Sequence, residues 1–429
     1  MIEYYSRVVD SQLDFKLRSS GAVLIRGPKW CGKSTTAEQR ARSAVFMQDR
    51  QTSAQNIELA KNAPSLLLAG PTPRLIDEWQ VIPFIWDQIR YEVDQRNENG
   101  QFILTGSATP LADPGENEAA PYEHSGIGRI SPLTMRTMSL FESRDGNGSV
   151  SLASLFQEQS SVAAQCDATL EDYAYLTCRG GWPRALDLNR EAALEQAFVF
   201  YDGLVHEDIN RVFRRAKNPE RIKRFMRSYA RAVATETSLA EIRKDMAAND
   251  EATLSDETIS LYISALEKLF VIENLPAWNP NLRSKTAVRT SETKHFVDPS
   301  IACAALGLGP NDLINDLETF GLLFESLCVR DLRVYAESLN GQVYHYRDKK
   351  GREADAVIHL RGGSWAPVEV KLANQERIEE AAQNLLAFAA DIDTAKMKPP
   401  SFLMVVTATG YAYRRSDGVY VVPLGCLKP

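Results

Sequence analysis

The chain has 429 residues, which at roughly 150 per domain implies about three domains, and its 44% apolar content supplies several cores. Its 49 basic and 56 acidic residues give a net charge of −7, which excludes a protein that coats nucleic acid through global charge and leaves only a local basic face to be sought. No apolar run approaches the roughly 18 residues that cross a bilayer, no signal core follows the start MIEYYSRVVDSQLD, and the scattered cysteines and histidines form neither CxxC nor HExxH, so the expectation is a cytoplasmic chain with reduced thiols and no zinc chemistry.

Over residues 1–148, short apolar runs alternate with helical patterns. The runs are Ala22–Ile25, Leu66–Leu68, Arg74–Ile76 and Phe102–Leu104. Such alternation predicts buried parallel strands in an α/β domain. Residues 111–128 read as a loop. Residues 149–215 read as a helical lid or connector. Within 216–305, Ser238 and Glu241 have capping-box spacing and start a helix. A second helix begins near Ser255-Asp256-Glu257, with Ile259, Tyr262, Ile263, Leu266, Leu269 and Phe270 at helical spacing. Extended stretches at 271–275 and 294–298 follow, so this middle segment resembles a winged helix-turn-helix. Over 306–429, a helix at 319–339 leads into strands at 343–346, 355–358, 367–370 and 402–406, which predicts a second α/β unit.

Gly27-Pro28-Lys29-Trp30-Cys31-Gly32-Lys33-Ser34 matches GxxxxGK[ST] between an apolar strand and a helix starting at Lys33. Backbone N–H groups of such a loop, continuing into Thr35, surround the phosphates of ATP. Lys33 reaches the β- and γ-phosphates, and Ser34 ligates Mg²⁺. Leu75-Ile76-Asp77-Glu78 is a strand ending in acids. Asp77 can face the Mg²⁺, and Glu78 can polarise an attacking water as general base. In Leu104-Thr105-Gly106-Ser107, Thr105 or Ser107 is a candidate γ-phosphate sensor. Arg129 is read either as a phosphate-sensing or trans-acting arginine or as a surface ion pair.

Gly27–Ser34, Leu75–Gln80 (LIDEWQ), Leu104–Ser107 (LTGS), Gly128-Arg129-Ile130 and Met138–Glu142 (MSLFE) resemble the AAA-type ATPase domain of a large prokaryotic family in which the ATPase precedes a C-terminal DUF4143 domain. Gly180-Gly181-Trp182-Pro183 is similar to that family's lid motif. The resemblance covers nearly the whole chain. It implies a P-loop NTPase fold and ATP binding; AAA-type domains often complete their sites with a neighbour's arginine, but this chain need not, so a homo-oligomer and a monomer both stay open.

The last segment carries a carboxylate constellation. Residues two apart on a strand share a face, so Glu369 and Lys371 point together, and Asp355 on the neighbouring strand can meet them. Glu325 adds a third carboxylate from a helix. Two carboxylates, Asp355 and Glu369, suit Mg²⁺ with retained waters, and the lysine can support a nucleophile or the transition state of phosphodiester hydrolysis. This set is similar to the PD-(D/E)xK, restriction-endonuclease-like core to which DUF4143 is thought to be related. Ala354-Asp355 stands where that pattern has Pro-Asp. Arg347 or Arg352 could touch a phosphate. The other readings of the constellation are a strand-edge charge ladder and a nuclease fold kept for binding alone.

Residues 211–231 hold nine basic side chains and one acid, Glu220. Arg221, Arg224, Arg227 and Arg231 are the candidates for DNA, with Arg211 to Lys217 more readily reaching the ATPase. The helix near 255–262 would be the groove reader, although Asp256 and Glu257 oppose tight sequence reading. The sequence thus predicts a Mg-dependent ATPase coupled through a winged-helix region to a nuclease-like domain. The alternative is a regulatory ATP switch whose nuclease-like domain is silent and binds a partner.

Overall fold

In the computed structural model, which describes residues 4–107, 125–157, 162–213, 218–247, 255–280, 291–349, 351–372, 374–395 and 397–429, the first apolar runs become strands. These are β1 (Ala22–Arg26), β2 (Ser43–Phe46), β3 (Arg74–Asp77), β4 (Phe102–Gly106) and β5 (Ile130–Thr134). They form one all-parallel sheet in the order β2-β3-β4-β1-β5. Alternate residues feed two cores. Val23, Ile25, Leu75 and Ile103 pack with Leu13 on one face, while Ala22, Ile76 and Leu104 pack with Ile85 and Ile89 on the other. Sheets covered on both sides require continuous apolar strands, and these short runs meet that demand. Pro132 sits on β5, an edge strand, where a missing N–H costs no ladder bond.

One expected strand is absent. Leu66–Leu68 falls at a short helix, Pro64–Leu67, with Leu66 65% exposed. Pro64 occupies its first turn, which favours helix over strand. The strand between β1 and β3 is instead Ser43–Phe46, whose polar start hid it. Of the loop expected at 111–128, residues 111–124 lie outside the described residues.

The second unit combines a seven-stranded sheet, one strand of which comes from 163–166, with a separate two-stranded pair. Its strands are β6 (Val150–Ser151), β7 (Ala163–Cys166), β8 (Gly341–Arg347), β9 (Glu353–Leu360), β10 (Trp365–Lys371), β11 (Met404–Thr407), β12 (Gly410–Arg414), β13 (Tyr420–Pro423) and β14 (Leu427–Lys428). Seven of them run in the order β7-β12-β13-β11-β10-β9-β8, and β6 pairs with β14 alongside. The boundary expected at 306 therefore does not isolate this unit, because 150–166 supplies two of its strands. Helix Leu317–Ser338 covers one face through Leu323, Phe324 and Leu327 against Ala356, Val368 and Val406. Helix Gln375–Ala390 covers the other through Ile378, Ala381 and Leu385 against Val405 and Val421.

In chain order, helices Pro219–Arg231, Leu239–Ala247 and Asp256–Lys268 come between β7 and β8. Ser238 and Glu241 cap each other as their spacing predicts, with Ser238 N donating to Glu241 Oε2 at 2.8 Å. Single bridges Val233↔Lys294, Ile272↔Phe296 and Leu275↔Thr293 follow these helices. Among the described residues, no helix is long and apolar enough to cross a membrane.

Candidate functional site

The phosphate-binding loop joins β1 to helix Lys33–Glu38. Gly32 has φ +97°, a left-handed conformation that a side chain would strain. A Cβ at Gly27 would stand 1.9 Å from the Met135 carbonyl oxygen, so the loop packs too closely there for any other residue. Lys33 is only 4% exposed, and its Nζ donates to the carbonyls of Gly27 at 3.0 Å and Pro28 at 2.7 Å. Ser34 Oγ donates to Asp77 Oδ1 at 2.6 Å, and Thr105 Oγ1 donates to the same oxygen at 2.7 Å. The ends of β3 and β4 thus meet the helix start at one carboxylate. A hydroxyl and a carboxylate, both hard oxygen donors, fit Mg²⁺ completed by waters and phosphate oxygens.

Glu78 follows at φ +56°, an uncommon conformation for a side-chain-bearing residue. Its N–H donates to Thr105 Oγ1 at 3.0 Å, which fixes the turn. Its Oε2 accepts from Ser107 Oγ at 3.0 Å and from the Gln80 amide. Gln80 closes the LIDEWQ run, whose local pattern assigns it no role. The carboxylate is oriented by two side chains, as a general base requires.

The outer rim of the loop is tied to the lid. Lys29 pairs with Asp208. Trp30 is 45% exposed and meets the edge of Phe200 at 5.8 Å, and Phe200 stacks on Trp182 at 4.4 Å. Cys31 is buried, with Sγ toward the Met135 carbonyl at 3.5 Å. Thr35 lies exposed in the first turn of the helix. Gly180 has φ +73°, and Trp182 Nε1 donates to Ser300 Oγ at 3.0 Å, which fixes the lid motif.

Arg129 is misplaced for the role expected of it within one chain. Its carbonyl accepts from Ala22 N at 3.0 Å, at the start of β1, whereas the loop leaves the end of β1. Five parallel residues separate the two positions by about 16 Å. Its guanidinium pairs with Asp94 at 2.8 Å.

In the C-terminal unit, the β9–β10 register Val368↔Ala356, carried one step further, sets Asp355 opposite Glu369. Lys371 Nζ bonds Glu369 Oε2 at 2.8 Å and Asp355 Oδ2 at 3.4 Å. Val370 N donates to Asp355 Oδ2 at 2.7 Å. Asn384 Nδ2, from the covering helix, donates to Glu369 Oε1 at 2.8 Å. Nothing in the local sequence marks Asn384, because its contact exists only once that helix docks. Glu369 is 3% exposed; burial, then the Asp355 charge, push its carboxyl up to about 8 against the pull of Lys371. Burial and Asp355 also hold Glu325 well above the carboxylate range, so the helix carboxylate lies within the cluster's field. Among the described residues, however, no three His, Cys, Asp or Glu side chains converge as a metal-holding group. Glu325, Asp355 and Glu369 are neighbours, not a ready-made triad. Asp355 and Glu369 supply two hard oxygen donors, which fit a magnesium ion that keeps most of its waters. Arg347 pairs with Glu353 at 3.7 Å and Arg352 with Asp391 at 3.1 Å.

The basic candidates lie on helix Pro219–Arg231. Arg231 pairs with Asp245 at 2.9 Å, and Arg224 Nε reaches the Glu220 carbonyl at 3.4 Å. Arg221 and Arg227 stand exposed, without an ion pair among the described residues. Arg214, Arg215 and Lys217 lie outside the described residues. The acid Asp256, at the start of the expected reading helix, pairs with Arg243 at 2.7 Å.

Residues 19–143 match the family model described as an AAA domain. Residues 170–312 match a domain of unknown function, DUF8612, and residues 320–427 match another, DUF4143. No curated protein matches this chain. Among solved structures, a Walker-type ATPase of Pyrococcus abyssi is similar at 15% identity, covering 70% of this chain and 96% of that one with a TM-score of 0.41. Residues 19–143, with the phosphate-binding loop and its magnesium-type oxygens, thus carry an AAA domain, and residues 320–427 carry a DUF4143 domain.

Proposed function

We propose that the chain is a Mg²⁺-dependent ATPase whose nucleotide cycle governs a nuclease-like C-terminal domain acting on nucleic acid. The observation that carries the reading is the meeting of Asp355, Glu369 and Lys371 across β9 and β10, in the same chain as the Ser34–Asp77–Thr105 set. The element order there is helix, three antiparallel strands, helix, then a parallel strand, which is the order of the PD-(D/E)xK core. The three middle helices and the bridges after them follow the order of a winged helix.

In this reading Lys33 binds the terminal phosphates. Ser34 and Asp77 hold the magnesium, which neutralises phosphate charge. Glu78, oriented by Gln80 and Ser107, takes the proton of the attacking water. In the second centre, Asp355 and Glu369 hold a divalent cation and Lys371 steadies the developing negative charge. Arg221 and Arg227 supply the free cations for a nucleic-acid backbone. Arg129 can reach a nucleotide only in a neighbouring copy.

A second reading rests on Lys371. Its ammonium already bonds both carboxylates, so the cluster is internally neutralised, as a silent domain in a regulatory switch would have it. Incubation with ATP, Mg²⁺ or Mn²⁺, and linear, circular and single-stranded DNA or RNA separates the two. Cleavage by the wild type that disappears in Asp355→Ala/Lys371→Ala supports the nuclease. ATP turnover without cleavage of any substrate refutes it and leaves the switch.

A further inference from the structure

Residues 136–142 run between the phosphate-binding loop and the long helix Leu317–Ser338, and they are fastened on both sides. On the loop side stands Arg7, 6% exposed, which no motif marks. Its Nη1 donates to the Cys31 carbonyl at 2.7 Å, its Nη2 to the Arg136 carbonyl at 2.9 Å, and its Nε pairs with Glu142 at 3.0 Å. Glu142, also buried, accepts from Val8 N at 2.7 Å and from Ser139 N at 2.8 Å. On the far side, Leu140 N donates to Asp331 Oδ2 at 2.9 Å, and the Arg136 guanidinium pairs with Glu337 at 2.5 Å and Glu273 at 2.6 Å. Asp331 and Glu337 belong to the helix that carries Glu325.

We propose that Arg7 is a positioning residue of the ATP site, acting through the Cys31 carbonyl, and that the Arg7–Glu142 pair transmits the state of the loop through residues 136–142 to helix 317–338. A guanidinium is the group this position requires. Its planar fork satisfies three acceptors in fixed directions, whereas an ammonium, a single point charge, cannot hold all three. Nucleotide phosphates must contact the backbone N–H groups of residues 28–34, and the Cys31 peptide lies within that stretch. A shift of that peptide displaces Arg7, and Arg7 cannot move without Glu142 and the Ser139–Leu140 turn. Because these groups are buried and hydrogen-bonded to one another, their arrangement changes as a unit.

The inference rests on ATP binding by the loop, and the test separates the two. Amide hydrogen exchange is followed in the full chain with and without saturating ATP and Mg²⁺, for wild type, Arg7→Lys, Glu142→Gln and the double variant, together with kcat and KM. Arg7→Lys keeps the charge beside Glu142, and Glu142→Gln tests the same pair should the lysine variant fail to fold. The expected wild-type result is altered exchange at 27–34, at 138–142 and in 325–333. Arg7→Lys should raise KM for ATP about tenfold and, at saturation, change exchange at 27–34 only. The two single substitutions should be non-additive in KM. Wild-type exchange that changes at 27–34 but not at 138–142 or 325–333 overturns the inference, as does an Arg7→Lys response equal to wild type. No change at 27–34 in the wild type overturns the ATP reading itself.

Discussion

Glu369→Gln gives a quantitative handle on the carboxylate cluster. The Glu369 carboxyl is pushed up to about 8 from its ordinary 4.5, mainly because β10 and its covering helix bury it. The folded chain therefore keeps a proton that the unfolded chain releases. A raised carboxyl contributes its stability fully below about 4.5 and loses it as pH climbs through about 8. Between those limits the loss is about 1.4 kcal/mol per pH unit for one proton. From pH 6 to pH 8 it amounts to about 2 kcal/mol, because the group begins to ionise before the upper limit. Glutamine has the same shape, accepts the Asn384 hydrogen bond and does not titrate. The variant should thus be the more stable protein at pH 8 and gain nothing at pH 4. Glu325 slopes in the same direction and remains in both proteins, so the difference between them isolates Glu369. For a cooperative unit of 150–250 residues, the melting-temperature gap should widen by about 4–8 °C between pH 6 and pH 8. Thermal melts of both proteins across that range measure it. A gap that stays constant with pH refutes the placement of a buried, proton-holding carboxylate beside Lys371.

Glu78→Gln should still bind ATP while turnover falls by about 10²-fold or more, the range of a lost general base; equilibrium nucleotide binding and a phosphate-release assay check the two halves. Arg221→Glu/Arg227→Glu should weaken retention on DNA and lower the salt slope of binding by about 2, measured as affinity against salt concentration. Trp182→Ala removes a ring that is 1% exposed, together with its bond to Ser300, and should cost about 3–5 kcal/mol in denaturant unfolding. A fragment of residues 306–429 lacks β6 and β7 and exposes the paired edge of β12, so it should aggregate where a version carrying 146–169 in addition stays soluble, as size-exclusion chromatography would report.

What was legible in the sequence was what a short stretch of chain decides for itself. Gly27–Ser34 combines a glycine for φ, a lysine and a hydroxyl within one turn, and Ser238–Glu241 caps its own helix. Glu369 and Lys371 share a face by strand period alone, and Asp355 joins them because β9 and β10 are neighbours. Apart from Leu66–Leu68, where Pro64 decides locally for helix, the differences are long-range. Arg129 follows glycines in an inviting context, but the chain has by then returned to the start of β1, and Asp94 from helix Ile85–Arg96 takes the charge. The strand Ala163–Cys166 is short and half-exposed, and it becomes a strand only by pairing with β12, nearly 250 residues later. Gln80, Asn384 and Arg7 carry no local pattern, because each is defined by a partner on another element.

Asp298 is a hub at which three separately matched segments meet. This carboxylate is fully buried, so each of its oxygens must be satisfied. Oδ2 accepts from Thr137 Oγ1 at 2.7 Å, Gly181 N at 2.9 Å and Arg330 Nη1 at 3.1 Å, while Oδ1 accepts from Ser300 N at 3.0 Å. Its donors therefore come from the strap beside the ATP site, the lid motif, its own helix start and the long helix of the C-terminal unit. Together they hold the carboxyl below its ordinary range despite burial. Parting the long helix removes Arg330 and strands a buried charge, at a cost of about 3–5 kcal/mol, while parting residues 136–142 or the lid removes a hydrogen bond to a charged group, worth about 1.5–3 kcal/mol. Motion driven from the nucleotide site must then pass through this junction with its bonds intact, by shifting elements together and not by hinging them apart. That constraint favours small, correlated displacements of the strap and helix 317–338 over a swinging domain, and it is why the Arg7 test reads hydrogen exchange at both ends.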